Sequence, residues 1–146
     1  MRIYLDACCL NRPFDDQSQH RIRLESEAVL ITIDSIYRNN WEWVSSEALI
    51  IELDKTPDLE KRKFLLELLN NANTTVEINE NEIKRAIEIE KLGFKSFDAL
   101  HISCAESANV DMFLTTDNKL LKLAKRKSNK IKIRIENPIN WLMEVI

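Results

Sequence analysis

Short apolar runs alternate along the chain with longer segments in which apolar residues recur every three to four positions. Arg2–Leu5 is rich in strand-forming residues, whereas the apolar positions from Ser18 to about Arg38 have the spacing of one helix face. We predict strands over Arg2–Leu5, Trp41–Val44, Thr75–Ile78 and Met112–Thr115, and an edge strand in which Ile131, Ile133 and Ile135 alternate with Lys132 and Arg134. We predict helices over Ser18–Arg38, from a cap at Ser45 or Ser46 to Leu53, over Leu59–Asn70, from a capping box at Asn79 and Glu82 to Leu92, over Asp98–Ala108 and Asn118–Lys127, and from Asn137-Pro138 onwards.

Strands that alternate with helices indicate an α/β fold whose parallel sheet is covered on both faces. In such folds ligands bind beyond the carboxyl ends of the strands. The 146 residues, 45% of them hydrophobic and 31% charged, suit one globular domain, so we expect residues 1–146 to form a single domain. Apolar stretches such as Ala28–Ile33 are far too short to span a bilayer, and Asp6 follows Arg2 too closely for an apolar signal segment. We therefore expect a cytoplasmic protein with no membrane partner.

The rarer residue types exclude several classes of protein. The only glycine is Gly93, which argues against a nucleotide kinase, a P-loop ATPase or a Rossmann dehydrogenase, since each needs a glycine-rich phosphate loop. With only His20 and His101 available, a Ser-His-Asp triad is a weak proposal. The three cysteines lack zinc-binding spacing, and their apolar neighbours indicate small buried residues. These are Cys8, Cys9 and Cys104.

Positive charge is concentrated in one segment of a chain whose net charge is −3. Between Asn118 and Ile135 there are eight basic residues and no acidic one. They are Lys119, Lys122, Lys125, Arg126, Lys127, Lys130, Lys132 and Arg134. Such a run is often only a solvated face. It also suits two functional interpretations, namely that it steers RNA towards an acidic site or that it receives an acidic protein partner.

Four acidic residues occupy positions from which side chains could meet at the carboxyl edge of the sheet. Asp6 ends the first predicted strand, Asp117 follows the fourth, Asp98 opens a helix, and Glu52 lies on the helix after the second strand. Asp98 and Asp117 could simply cap helices, and Glu52 could face solvent. Asp6 is harder to explain in this way, because we predict no helix directly after it.

Convergence of these carboxylates would favour a hard cation, because crowded carboxylates repel one another. Ligation by oxygen alone, without a cluster of His or Cys, suits Mg²⁺ or Mn²⁺ rather than zinc. Such an ion can activate water and stabilise the leaving oxygen in phosphodiester cleavage. If the four carboxylates converge, they would suit a metal-dependent nuclease.

The order of short motifs resembles that of one known family. Leu5-Asp6 followed by Asn11-Arg12, then Ser46 with Glu52, the block Asp98-Ala99-Leu100-His101, and Thr115-Thr116-Asp117 are similar to the PIN-domain family over essentially the whole chain. The most similar branch is the small VapC-type proteins, which are toxin ribonucleases of prokaryotic toxin–antitoxin pairs.

This resemblance implies a three-layer α/β/α sandwich with a central parallel sheet and a ribonuclease site that uses Mg²⁺ or Mn²⁺. It implies that Asp6 and Asp98 are the principal metal ligands, that Glu52 is the helix-borne acid, and that Asp117 is the acid after the late strand. Thr116 corresponds to a hydroxyl residue that supports the site. Homodimers are common in the family, and the toxins are silenced by an antitoxin that blocks the site.

Some assignments stay open at this point. Glu47 lies five residues before Glu52, about half a turn out of phase, and is the alternative to Glu52 as the helix-borne acid. The segment Asn11–Asp16 could contact substrate or could be an ordinary turn, and His101 is expected to be a packing or capping residue. The rival to a nuclease is a PIN-like module that binds RNA or a protein without cleaving.

Overall fold

The centre of the molecule is a five-stranded sheet in which all strands are parallel. The computed structural model describes residues 1–146. The strands are β1 Arg2–Leu5, β2 Glu42–Ser46, β3 Thr74–Val76, β4 Met112–Leu114 and β5 Ile135–Glu136. The helices are α1 Ala7–Asn11, α2 His20–Arg38, α3 Glu47–Asp54, α4 Leu59–Leu69, α5 Glu80–Glu90, α6 Ser96–Ser107, α7 Asn118–Arg126 and α8 Pro138–Val145. Helices flank the sheet, which confirms the predicted α/β/α sandwich.

The strand order β3-β2-β1-β4-β5 places the first strand in the middle of the sheet. Ile3 of β1 pairs with Trp43 of β2 on one side and with Met112 of β4 on the other. Strands β2 and β3 therefore lie on one side of β1, and β4 and β5 lie on the other. The direction in which the chain winds changes between β1 and β4. In open parallel sheets such a switch point forms the ligand-binding crevice.

One hydrophobic cluster of 28 buried residues surrounds the sheet and includes most of β1, all of β4 and two residues of β2. Trp43 is fully buried, and the rings of Trp41 and Trp141 meet edge to face with centroids 5.8 Å apart. The tryptophans are therefore packing residues. None of the helices combines the length and the apolarity needed to cross a bilayer.

Three predicted helix caps are confirmed. The Ser46 hydroxyl accepts from Leu49 N at 3.1 Å, so Ser46 rather than Ser45 caps α3. Asn79 N donates to Glu82 Oε1 at 2.9 Å in the capping box before α5. The Asn137 side chain accepts from Ile139 N at 2.8 Å at the start of α8.

The expectation that no helix follows Asp6 is wrong. Helix α1 begins at Ala7, and Asp6 is its N-cap, with Oδ1 accepting from Ala7 N at 2.9 Å. The helix is only five residues long, too short for an apolar period to be visible in the sequence. A single 3₁₀ turn over Arg12–Phe14 then occupies half of the predicted loop.

The predicted edge strand is present but much shorter than expected. Only Ile135–Glu136 pair with β4, whose three residues offer a short partner. Ile131 is buried outside the strand, and Lys132 N donates to Glu106 Oε2 at 2.8 Å instead of to a neighbouring strand. The alternation of isoleucines therefore reflects burial of one side of an irregular segment more than strand pairing.

Candidate active site

Asp6 lies at the switch point, directly after the central strand β1. Its side chain is buried, and its backbone N–H continues the sheet by donating to Leu114 O at 3.0 Å. Oδ2 accepts from the Thr115 hydroxyl at 2.9 Å, in addition to the capping bond to Oδ1. Burial raises the pKa of Asp6, while the charge of His101 and the hydrogen bond from Thr115 oppose the rise. The carboxylate is thus held in a fixed orientation by groups from α1 and from the segment after β4.

Asp98 lies in the first turn of α6, where Lys95 occupies the N-cap position, so Asp98 is not a capping residue. It is half-buried and makes no hydrogen bond or ion pair within the chain. Burial, followed by the charges of Asp6 and Asp117, raises the pKa of Asp98 to about 6. Glu52 raises it further, and His101 opposes the rise. Asp98 is therefore the carboxylate on which the other three acidic residues act.

Asp117 caps α7, which is the structural role that the sequence analysis offered as the alternative to metal binding. Its Oδ1 accepts from Lys119 N at 2.9 Å and from Leu120 N at 3.2 Å. Both bonds use the same oxygen, which leaves Oδ2 available to a ligand. Asp117 and Asp98 line the same cleft, of about 360 Å³.

Thr115 connects two of these acidic residues, a role that the sequence analysis did not find. The Thr115 hydroxyl donates to Asp6 Oδ2 and accepts from Asp117 N at 3.2 Å. Thr116 is the hydroxyl residue that the family resemblance implies as a support of the site. In the structure it contributes through its backbone, because its N–H donates to Cys8 Sγ at 3.3 Å. The adjacent threonines differ in sequence only by position, and which of them faces Asp6 depends on how β4 ends.

Glu52 reaches the site at the end of a buried chain of hydrogen bonds. The Tyr4 hydroxyl lies 2.7 Å from both Ser46 Oγ and His101 Nδ1, and His101 Nε2 lies 2.8 Å from Glu52 Oε1. Ser46, Tyr4 and His101 are fully buried. Burial lowers the pKa of His101, but the bond to Glu52 and the charges of Asp6, Glu52 and Asp98 produce a net rise. His101 is thus more than a packing residue, because it binds one of the acidic side chains.

Glu47, the alternative helix-borne acid, is engaged elsewhere. Its Oε1 accepts from Ile78 N at 2.6 Å, at the connection between β3 and α5. Glu47 also has no part in the pKa shift of Asp98, whereas Glu52 does. The geometry therefore favours Glu52 over Glu47.

The segment Asn11–Asp16 is tied to the body of the protein by Arg12. Arg12 Nε donates to Glu25 Oε1 at 2.9 Å, and Arg12 Nη1 donates to Asp15 Oδ2 at 3.0 Å. Glu25 is fully buried on α2 and also binds Arg21. The guanidinium of Arg12 is therefore occupied by intramolecular partners.

The donor set suits a hard divalent cation by its chemistry. The four side chains Asp6, Glu52, Asp98 and Asp117 offer carboxylate oxygens, and a cation would offset the burial and the repulsion that together raise the pKa of Asp98. No three acidic, histidine or cysteine side chains are arranged to hold one ion together. Mg²⁺ commonly binds through one or two carboxylates and keeps several water ligands, so the arrangement fits this ion.

Comparison with known proteins identifies relatives of the fold. A family model described as PIN domain matches residues 3–126. No sequence among the curated proteins matches the chain. The solved structure of VapBC-1 from nontypeable Haemophilus influenzae aligns with a TM-score of 0.63 at 15% identity, covering 94% of this chain and 98% of that one. The structure of VapBC2 from Rickettsia felis, bound to a DNA fragment from its promoter, aligns with a TM-score of 0.62 at 16% identity. The alignment covers 94% of this chain and 98% of that one. FitAcB from Neisseria gonorrhoeae gives 0.58 at 16% identity, with coverages of 93% and 97%.

Proposed function

Because the chain belongs to the PIN domain family, we propose that it is a ribonuclease that depends on Mg²⁺ or Mn²⁺ and serves as the toxin of a toxin–antitoxin pair. Proteins of this family are generally nucleases. The observation that carries the proposal is the unpaired Asp98 carboxylate, whose pKa is raised to about 6 by burial and by the charges of Asp6, Asp117 and Glu52. A protein gains no stability from gathering three acidic side chains around an unpaired carboxylate, whereas a metal-binding site makes use of such an arrangement.

In this proposal Asp6 and Asp98 are the principal ligands of the ion, and Asp117 and Glu52 add negative charge around it and face its water ligands. Asp6 is buried and held by Thr115 and Ala7 N, so its orientation is fixed before any ligand arrives. Asp98 is half-exposed and faces the cleft through which RNA would approach. A bound Mg²⁺ or Mn²⁺ would supply stabilisation of charge on the phosphodiester and would lower the pKa of water in the site.

An antitoxin partner and a homodimer are further parts of the proposal. The solved relatives are named VapBC and FitAcB, which supports a partner chain. Large apolar side chains of α3 and α4, among them Ile51, Leu59 and Phe64, are between 43% and 58% exposed and could be covered by such a chain. Ile83 and Ile87 lie one turn apart on α5 and are about half exposed, which suits a contact with a second copy.

The second candidate is a PIN-like module that binds RNA or a protein without cleaving. It is favoured by the two hydrogen bonds that Asp117 makes as a helix cap, since a capping role explains that residue without catalysis. It leaves unexplained why Asp98 lacks a partner. Cleavage, not binding, distinguishes the two functions.

The decisive experiment incubates the purified protein with a mixed RNA pool and Mg²⁺ or Mn²⁺. We expect cleavage that EDTA abolishes and that Asp98→Asn reduces about 100-fold or more, because losing a metal ligand removes roughly 3 kcal/mol of transition-state stabilisation. The matched control is Asp54→Asn, the same change at an exposed residue of α3. Absence of cleavage by the folded wild-type protein would favour the binding module.

A further inference from the structure

A basic cleft begins where the acidic residues end. The cleft of about 360 Å³ has Asp98 and Asp117 on its wall and is otherwise lined by α7 and by the connection from α5 to α6. Its volume lies within the range of roughly 300–1,000 Å³ that is typical of ligand sites. Four of its ten lining residues are basic. They are Lys95, Lys119, Lys122 and Arg126, and they are named here the basic cleft residues.

The helical period selects three of these residues from the basic segment. Lys119, Lys122 and Arg126 stand at positions i, i+3 and i+7 of α7 and therefore share one face of the helix. Lys125 and Arg134 line a different cavity, and Arg134 is paired with Glu144. The positive charge that is continuous in sequence is thus divided by the fold, and only part of it adjoins the acidic site.

The basic cleft residues have no intramolecular ion pairs, although the chain contains 24 acidic residues. Arg85, by contrast, binds Glu106 at 2.6 Å and Glu88 at 3.0 Å. All four basic cleft residues are exposed, so their N–H donors are available to an external anion. Lysine supplies a mobile point charge, and arginine supplies a planar fork that matches phosphate oxygens.

We propose that the basic cleft binds backbone phosphates of RNA next to the bond that is cleaved, a subsite that rests on the proposed nuclease function. An RNA strand whose cleaved phosphodiester lies at Asp98 and Asp117 continues into this cleft. There the unpaired lysine and arginine side chains neutralise the following phosphates. An acidic peptide has no group that the adjoining carboxylate site would act on. The position of the cations beside that site therefore favours a polynucleotide over a protein segment.

The cleft contributes affinity without reading sequence. Its one aromatic residue, Phe94, is 4% exposed and cannot stack on a base. Contacts to phosphate position a nucleic acid but carry no direct sequence information. We expect the basic cleft to strengthen binding equally for RNAs of different base composition.

The test measures the binding of a fluorescent single-stranded RNA of twelve nucleotides by anisotropy, in EDTA and in an Asp98→Asn background so that the RNA stays intact. One variant carries Lys119→Gln, Lys122→Gln and Arg126→Gln, and the control carries Lys125→Gln, Lys127→Gln and Lys130→Gln. Both remove three charges from the same segment. We expect the first to weaken binding about 30-fold at low salt and to reduce the slope of log K against log salt by about 2, and the control to change affinity less than about threefold.

Equal losses in the two triple variants would overturn the proposal, because they would indicate a diffuse field instead of a site. A poly-glutamate peptide that binds as tightly as the RNA, with the same dependence on Lys119, Lys122 and Arg126, would also overturn it. The nuclease function is judged separately, by cleavage in Mg²⁺ with Asp98 intact. Binding that depends on the cleft, without any cleavage, would support the phosphate subsite and contradict the nuclease function. Metal-dependent cleavage that is unchanged in the cleft variant would support the nuclease function and contradict the subsite.

Discussion

At the scale of single residues, the chain Ser46–Tyr4–His101–Glu52 shows how buried polar groups determine one another. One arrangement of protons satisfies every member, with Ser46 donating to Tyr4, Tyr4 to His101 Nδ1, and His101 Nε2 to Glu52. Ser46 in turn accepts from Leu49 N. The capping residue of α3 is therefore connected through the core to an acidic side chain on the same helix. No local sequence pattern predicts this connection, because Tyr4 and His101 are 97 positions apart.

We predict that His101→Phe lowers the free energy of unfolding by about 1–3 kcal/mol, because the buried Tyr4 hydroxyl loses its acceptor. Adding Tyr4→Phe removes the orphaned hydroxyl, so the double variant should be less destabilised than the sum of the two single variants. Urea denaturation of the wild type and the three variants measures this coupling. Strict additivity would show that the two side chains do not depend on each other.

At the scale of secondary-structure elements, the long helices and the strands β1 to β4 could be predicted because their apolar periods are locally visible. Helix α1 and the shortened β5 could not, since their extent is set by Asp6 and by the three residues of β4. Glu25 also escaped prediction. It is a charged residue at a fully buried position of α2, where Arg12 and Arg21 compensate its charge and Asn137, 112 positions away, donates a further hydrogen bond.

Glu25 joins elements that surround the site. It binds Arg12 and Arg21, and its Oε2 accepts from Asn137 Nδ2 at 2.6 Å at the start of α8. Arg21 Nη2 also donates to Thr116 O at 3.3 Å, directly before Asp117. This buried cluster therefore fixes the 3₁₀ turn, α2, α8 and the segment after β4 relative to one another.

We predict that Glu25→Gln lowers the free energy of unfolding by about 3–5 kcal/mol, because it leaves two guanidinium groups without their shared carboxylate. Glu27→Gln, the same change at an exposed position of α2, is the control and should alter stability by less than about 0.5 kcal/mol. Chemical denaturation measures both. Similar losses in the two variants would mean that the cluster contributes little.

At the scale of the whole molecule, the topology explains why the four acidic residues could be proposed before the structure was known. Strands that run in parallel deliver their carboxyl ends to one edge, so residues that follow different strands come near one another. The sequence could not establish the strand order β3-β2-β1-β4-β5, and therefore not that β1 and β4 flank the switch point. Likewise, the helical face that separates Lys119, Lys122 and Arg126 from the other basic residues is relevant only once the position of α7 is known.

The burial of Asp98 beside other acidic residues makes the stability of the metal-free protein depend on pH. The pKa of Asp98 is about 6 in the folded protein and 3.8 in its ordinary state, so folding favours the protonated form. Its stabilising contribution is complete below about pH 4 and is lost as the pH rises through 6. Asparagine at this position does not titrate.

We therefore predict that Asp98→Asn, measured in EDTA, has a higher Tm than the wild type at pH 7, and that this difference decreases towards pH 4. Thermal unfolding of both proteins across this range measures it, with Asp54→Asn as the exposed control. A difference that stays constant with pH would show that the pKa of Asp98 is not raised in the folded protein.

The two edge strands of the sheet affect how the protein behaves in concentrated solution. The outermost strands, β3 and β5, contain three and two residues, so little open backbone is offered to a strand of another molecule. Glu136 adds a charge to β5, and short charged edges hinder the edge-to-edge pairing that starts aggregation. The short edge strands thus protect a sheet whose apolar central strands would promote aggregation if they were exposed.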